Sequence, residues 1–158
     1  MPSITLNIPQ TTFISSAQPG NNFSFYPLIN VGTDPNYLNC IGLLNISLPQ
    51  LPVSSVDNAT LNLAVITKSG LEPSPILVNR VTTAFDTNTV TYATQPAFTP
   101  TQIQYNVLPT DLYTTVHIDI TSLVNEWLNG TYPNYGIALT NSDGTTGVQF
   151  ATNNIIYE

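Results

Sequence analysis

His117 and Asp119 stand two apart in the segment TVHIDI, so on an extended strand both side chains leave the same face. An imidazole beside a carboxylate is the pairing that general acid–base chemistry uses. No serine in a nucleophile-elbow context accompanies them. Capping the turn that follows is a sufficient role for Asp119, and the chain reads as a non-enzyme. His117 is the single histidine and Cys40 the single cysteine. A histidine-based metal site, a thiolate cluster and an internal disulfide are therefore all excluded. Cys40 lies in the apolar run YLNCIGLL, where a buried, inert thiol is expected.

Acids that could cleave glycosides in pairs are spread over loops, at Asp34, Asp57, Asp86, Asp111 and Asp143, and no pairing is visible. Loop carboxylates and amides are also hard oxygen ligands for calcium. Asp34 with Asn36, and Asn141 with Asp143 before Gly144, are the candidates, with ordinary turn formation as the competing role. No other cofactor is expected. Tyr105, Tyr113, Tyr132 and Tyr135 fall near loops or strand ends, where a ring could stack on a sugar.

Two basic residues, Lys68 and Arg80, stand against nine acids for a net charge of −7. Nucleic acid and anionic lipid surfaces demand Lys and Arg that this chain lacks. Charged residues are only 7% of the chain, against roughly 25% in an ordinary soluble domain. Asparagine (18) and threonine (23) take over the polar surface. Threonine favours strands and asparagine favours turns. No apolar run is long enough to insert in a membrane, and MPSITLNIPQ lacks the basic and apolar regions of a secretory leader.

The elements follow from periodicity. Ile4, Leu6 and Ile8 alternate with polar residues, as do Phe23 and Phe25. A central strand is expected between Tyr37 and Leu48, and ATLNLAVIT gives the cleanest alternation. Ile76–Val81, Thr89–Tyr92, Ile103–Val107, Thr115–Ile120, Tyr135–Thr140 and Val148–Ala151 complete about ten strands separated by Pro, Gly and Asn turns. In TSLVNEWLNG, Leu123, Val124, Trp127 and Leu128 recur at helical spacing, with Thr121 or Ser122 as N-cap and Gly130 closing the end. The expectation is one all-β domain over residues 1–158, an antiparallel sandwich with a short helix across one end and Trp127 plugging the core.

Longer patterns make this specific. ATLNL (Ala59–Leu63), VTTAFDTNTVTYATQP (Val81–Pro96) and DITSLVNEWLNGTYPNYGIAL (Asp119–Leu139) resemble the motifs of the DNRLRE domain family, with Phe85 and Tyr92 where that family has tryptophan. The resemblance implies a jelly-roll, carbohydrate-binding-module-like β-sandwich of the kind carried by extracellular proteins. After VQFAT the chain runs only to NNIIYE, so the last strand is expected to be very short or missing. That leads to a self-association hypothesis. Ser3, Ile4, Leu6 and Ile8 of one copy would add to an unfilled edge near Ile155 and Ile156 of another. The leading functional expectation is a non-catalytic structural or display module that packs with copies of itself on a spore or cell surface. The alternative is a carbohydrate-binding accessory module of an extracellular protein, with polysaccharide as partner.

Overall fold

The computed structural model describes residues 3–49, 54–141 and 143–158, with Thr152 and Asn153 described in backbone only. Among these residues ten strands form one antiparallel sheet that doubles back on itself. In chain order they are β1 (Ile4–Asn7), β2 (Thr11–Ser15), β3 (Ile29–Asp34), β4 (Leu38–Leu44), β5 (Ala59–Lys68), β6 (Ser74–Val81), β7 (Phe98–Val107), β8 (Thr115–Asp119), β9 (Ile137–Asn141) and β10 (Gly147–Tyr157). Among the described residues one α-helix, α1 (Thr121–Leu128), lies between β8 and β9.

The lateral order is β7-β6-β9-β4-β3-β10-β5-β8. β3 pairs with β10 through Ile29–Gly32 and with β4 through Gly32–Asp34. Beyond its reach β1 takes its place beside β10, and β2 takes its place beside β4. Two layers result: β1-β10-β5-β8 and β2-β4-β9-β6-β7. Leu61, Leu63, Val116, Ile118 and Phe150 from the first meet Leu44, Ile76, Val78, Ile137 and Leu139 from the second in one buried cluster. Alternation decides which side chains go inside, because successive residues on a strand face opposite ways. This is the antiparallel sandwich that the strand pattern predicts, and it agrees with the jelly roll that the DNRLRE resemblance implies.

Helix α1 closes one end. Leu123, Val124 and Trp127 are buried, and Gly130 ends the segment at φ +82°. Neither Thr121 nor Ser122 is the N-cap; that position is Ile120, which offers no side-chain bond. Asp119 supplies it from one residue earlier, accepting from the Thr121 N–H at 2.9 Å and from its hydroxyl. Thr121 Oγ1 in turn accepts from the Ala59 N–H, and Asn125 holds both the N–H and the carbonyl of Val56. The D-I-T pattern is thus a clamp between the helix and the entry to β5. Asn134 is a second clamp. Its Nδ2 donates to the Ile46 carbonyl and its Oδ1 accepts from the Gly136 N–H. Gly136 sits at φ +91°, where a Cβ would lie 2.3 Å from the Leu44 carbonyl oxygen. Only glycine fits that approach.

Three sequence expectations need correction. The last strand is neither short nor missing. β10 runs eleven residues and pairs with β5 along its length; Val148 and Phe150 face inward, and the register shift between Thr152 and Asn154 moves the inward phase to Ile155 and Tyr157. Thr89–Tyr92 is not a strand. The 82–97 segment forms turns in which Val90 N–H reaches the Asp86 carbonyl, and Asn22 Nδ2 donates to the carbonyls of Thr87 and Val90. Phe23 and Phe25 likewise lie in a turn, closed by Tyr26 N–H on the Phe23 carbonyl. There Phe23 stacks on Phe13 at 4.5 Å, while Phe25 is 80% exposed. Val90 and Phe23 are buried because these loops lie on the sheet, whereas Phe25 is exposed to solvent.

The self-association residues Ile4 and Leu6 pair with Tyr157 and Ile155 of the same chain. Ile8 is buried, Ile156 faces Thr5, and Ser3 is exposed just ahead of β1. β1 therefore occupies the place along β10 that an added strand was expected to fill.

Trp127→Ala is expected to cost about 3–5 kcal/mol by removing a large buried side chain, measured by urea denaturation. A loss below about 1 kcal/mol would contradict the packing described. Cys40 gives a second test. Burial, with the negative charge of Asp34 adding, pushes its thiol from 9.0 up to about 12. The folded form holds the thiol neutral while the unfolded chain ionises. Stability is therefore full below the ordinary thiol value and falls as pH rises from it toward the folded one. Cys40→Ala is expected to flatten the alkaline fall in the urea midpoint. Tyr157, also raised by burial, should leave a residual slope.

Candidate functional site

The two outer faces of the sandwich differ. The face of the β2-β4-β9-β6-β7 layer is covered by the 82–97 segment. Val90 packs there with Ile14, Leu43, Val81 and Ala138, flanked by Phe85, Tyr92, Phe98 and Tyr135. The outer face of the β1-β10-β5-β8 layer carries a polar array in register. Asn7 faces Asn154, Asn154 faces Asn62, and Asn62 faces His117; the next row is Thr5, Ile156, Thr60 and Asp119. Asn62 Nδ2 donates to Asn154 Oδ1 at 2.8 Å, and Asn62 Oδ1 meets His117 Nδ1. Since that Asn62 oxygen can only accept, Nδ1 carries the proton. In an imidazole whose Nδ1 carries the proton, Nε2 is the acceptor.

Among the described residues β7 pairs only with β6 and β8 only with β5, and a groove of about 550 Å³ runs between β7 and β8. Ile103, Tyr105 and Ile118 line it on the apolar side; Gln102, Gln104, His117, Asp119, Thr121 and Ser122 supply polar atoms. Ile103 and Tyr105 also pack on the core. The Thr121 side-chain and backbone hydrogen bonds hold the Asp119 carboxyl below its ordinary range, against a small opposing effect of burial. Burial and the nearby Asp111 raise the Tyr105 phenol. His117 and Asp119 share this groove, but their hydrogen bonds run to other partners. His117 Nδ1 is oriented by an amide, and Asp119 is turned to Thr121.

A smaller hollow of about 210 Å³ lies on β3, β10 and β5, lined by Asn30, Asp34, Thr67, Lys68 and Gln149 among others. The calcium candidates are turn formers. Asp34 Oδ1 accepts from the N–H groups of Asn36 and Tyr37, Asn141 Oδ1 accepts from Asp143 N–H, and Asp143 Oδ1 accepts from the N–H groups of Thr145 and Thr146. Asp143 Oδ2 takes the Thr146 hydroxyl. Burial opposes the ionised form of Asp143, but these hydrogen bonds outweigh it and its carboxyl is lowered. Backbone N–H groups thus occupy Asp34 Oδ1, Asn141 Oδ1 and Asp143 Oδ1. Among the described residues no three His, Cys, Asp or Glu side chains gather as a metal site.

The four tyrosines are not one platform. Tyr105 is in the groove, Tyr113 is 80% exposed on the β7–β8 turn at φ +64°, Tyr132 lies under the Arg80 guanidinium, and Tyr135 packs in the second cluster. The sequence reading missed Asn62, Gln102, Gln104 and Asn154. The outward phase of ATLNLAVIT pointed to Asn62, and the short link from Val107 to Thr115 was the signal that β7 lies beside β8.

Because its folded carboxyl is lowered, Asp119 stabilises the protein above the ordinary carboxylate range, and that contribution is lost as pH falls through the folded value. Asp119→Asn should therefore lower Tm near neutrality and narrow the gap from the parent chain in acid. A constant gap across the titration would refute the assignment.

The sequence model of carbohydrate-binding module family 96 matches residues 2–155. No curated protein matches the sequence. The match spans nearly every strand, including β1, β8 and the polar part of β10 that form the array, and includes the clamps around Asp119 and Asn134. The chain belongs to carbohydrate-binding module family 96.

Proposed function

We propose that the chain is a non-catalytic module that holds a polysaccharide on the outer face of the β1-β10-β5-β8 layer, with the groove between β7 and β8 as the deepest part of the site. The observation that carries this reading is the in-register array Asn7–Asn154–Asn62–His117 leading to that groove. Asn62 is only 4% exposed and spends its amide on Asn154 and His117, so it orients its two neighbours toward the hydroxyls of a sugar without a large conformational cost. Tyr105 and Ile103 give the apolar floor against which C–H faces of a sugar ring can rest. The likeness to DNRLRE domains, and an extracellular setting, belong to the same reading. The self-assembling display module has no comparable support, since the terminal strands that were to join copies pair with each other.

Affinity electrophoresis of the whole chain through gels containing different polysaccharides tests this. At least one glycan should retard the protein. Asn62→Ala, which removes the bond orienting His117, should weaken retardation about 5-fold or more, the worth of one hydrogen bond of about 1 kcal/mol. Equal mobility in every gel would reject the reading.

A further inference from the structure

Resting on the reading that this chain binds carbohydrate, we infer that the groove between β7 and β8 takes a neutral, hydroxyl-rich glycan and rejects uronate or sulfated ones. Two independent observations carry this. The first is where the positive charge goes. Lys68 and Arg80 are the only basic side chains. Lys68 Nζ donates to the carbonyls of Ser69, Gly70 and Glu72. Arg80 is paired with Glu126 at 2.6 Å and stacked 3.8 Å over the Tyr132 ring. Neither lines the groove. Recognition of a carboxylate or sulfate relies on Arg or Lys donors, and both are committed elsewhere.

The second observation is the chemistry of the groove wall. His117 lines the groove with Nδ1 engaged by Asn62, so Nε2 is the ring nitrogen left to accept. Asp119, its carboxyl kept ionised by Thr121, can only accept. Gln104 directs its Nε2 to Asn106 Oδ1 at 2.9 Å, so one of its amide hydrogens is also used. The wall is thus biased toward acceptors and carries negative charge, in a chain of net charge −7. Sugar hydroxyls donate into such a wall. A uronate would bring a second negative charge to Asp119 with no cation between them, and like charges brought together raise the free energy of the complex.

Affinity electrophoresis decides it, with the intact chain, EDTA in every gel to remove bridging divalent cations, and low and high salt in parallel. The neutral gels hold xyloglucan, galactomannan, mixed-linkage β-glucan or starch. The anionic gels hold alginate, polygalacturonate or chondroitin sulfate. Retardation by a neutral polymer, little changed by salt, is the expected result. His117→Ala and Gln104→Ala should each weaken it about 5- to 10-fold, whereas Phe25→Ala, on the exposed turn before β3, should leave it unchanged. Thermal melts of each variant identify any loss due to unfolding, and His117→Gln, which can restore an acceptor, should recover part of the binding. Stronger retardation by an anionic polymer overturns the inference while leaving carbohydrate binding in place. Neutral binding that survives His117→Ala and Gln104→Ala overturns the groove as its seat. Equal mobility in all gels rejects carbohydrate binding and the inference with it.

Discussion

The double pairing of β3 is the constraint on which the rest of the molecule depends. One short strand hydrogen-bonds β10 with its first four residues and β4 with residues Gly32–Asp34. The sheet has to fold there, because Gly32 sits at φ +94° and lies against the Thr146 carbonyl, where no larger residue fits without displacement. Folding at β3 puts β1 and β2, consecutive in sequence, on opposite layers. It also leaves the far margins of both layers, β7 and β8, facing each other without pairing among the described residues. The buried cluster between the layers and the groove at the opposite margin are therefore two results of the same turn in the sheet.

Few charges are available to hold this arrangement, and short polar side chains replace them. Asp119, Thr121, Asn125 and Asn134 each satisfy backbone groups at the ends of elements, as does Tyr157, whose hydroxyl reaches the Ser47 carbonyl at 2.7 Å. Each such bond contributes about 0.5–1.5 kcal/mol net, and leaving the buried group without it would cost more. Asparagine and threonine suit this work because their polar atoms stay close to the backbone. Arg80 is the exception, a cation half enclosed beneath α1 and answered by Glu126 and Tyr132.

Much of this was legible in the sequence where periodicity and burial agree. ATLNLAVIT alternates because β5 is central to its layer, and TSLVNEWLNG shows a helical stripe because α1 buries one face only. Phe23–Phe25 and Thr89–Tyr92 misled because a loop lying on a sheet also buries apolar residues, as Val90 and Phe23 show. The end of the chain misled differently. NNIIYE looks too short for a strand by itself, yet it is the second half of a strand that begins at Gly147. The site was half visible: His117 and Asp119 announce a shared face, but Gln102 and Gln104 join them through the closeness of β7 and β8, which only the short link from Val107 to Thr115 signals.

Edge strands raise one more question in a chain that has almost no lysine. Unpaired margins invite strands from other molecules unless something blunts them. β7 carries Pro100, which has no N–H to offer, and the β6–β7 register shifts between Leu77 and Asn79, an irregularity that disrupts a flat template. β8 is only five residues long and places His117 and Asp119 at its margin. Tyr113 at φ +64° turns the chain sharply away just before it. These features make the seam a poor template for another β-strand while leaving it open, polar and apolar-floored. A flexible chain of hydroxyl-bearing rings can enter such a space without needing the backbone ladder that a peptide strand requires. Of these features only His117 and Asp119 also line the groove, so on the proposed reading the side chains that blunt the β8 margin are the ones a glycan would meet.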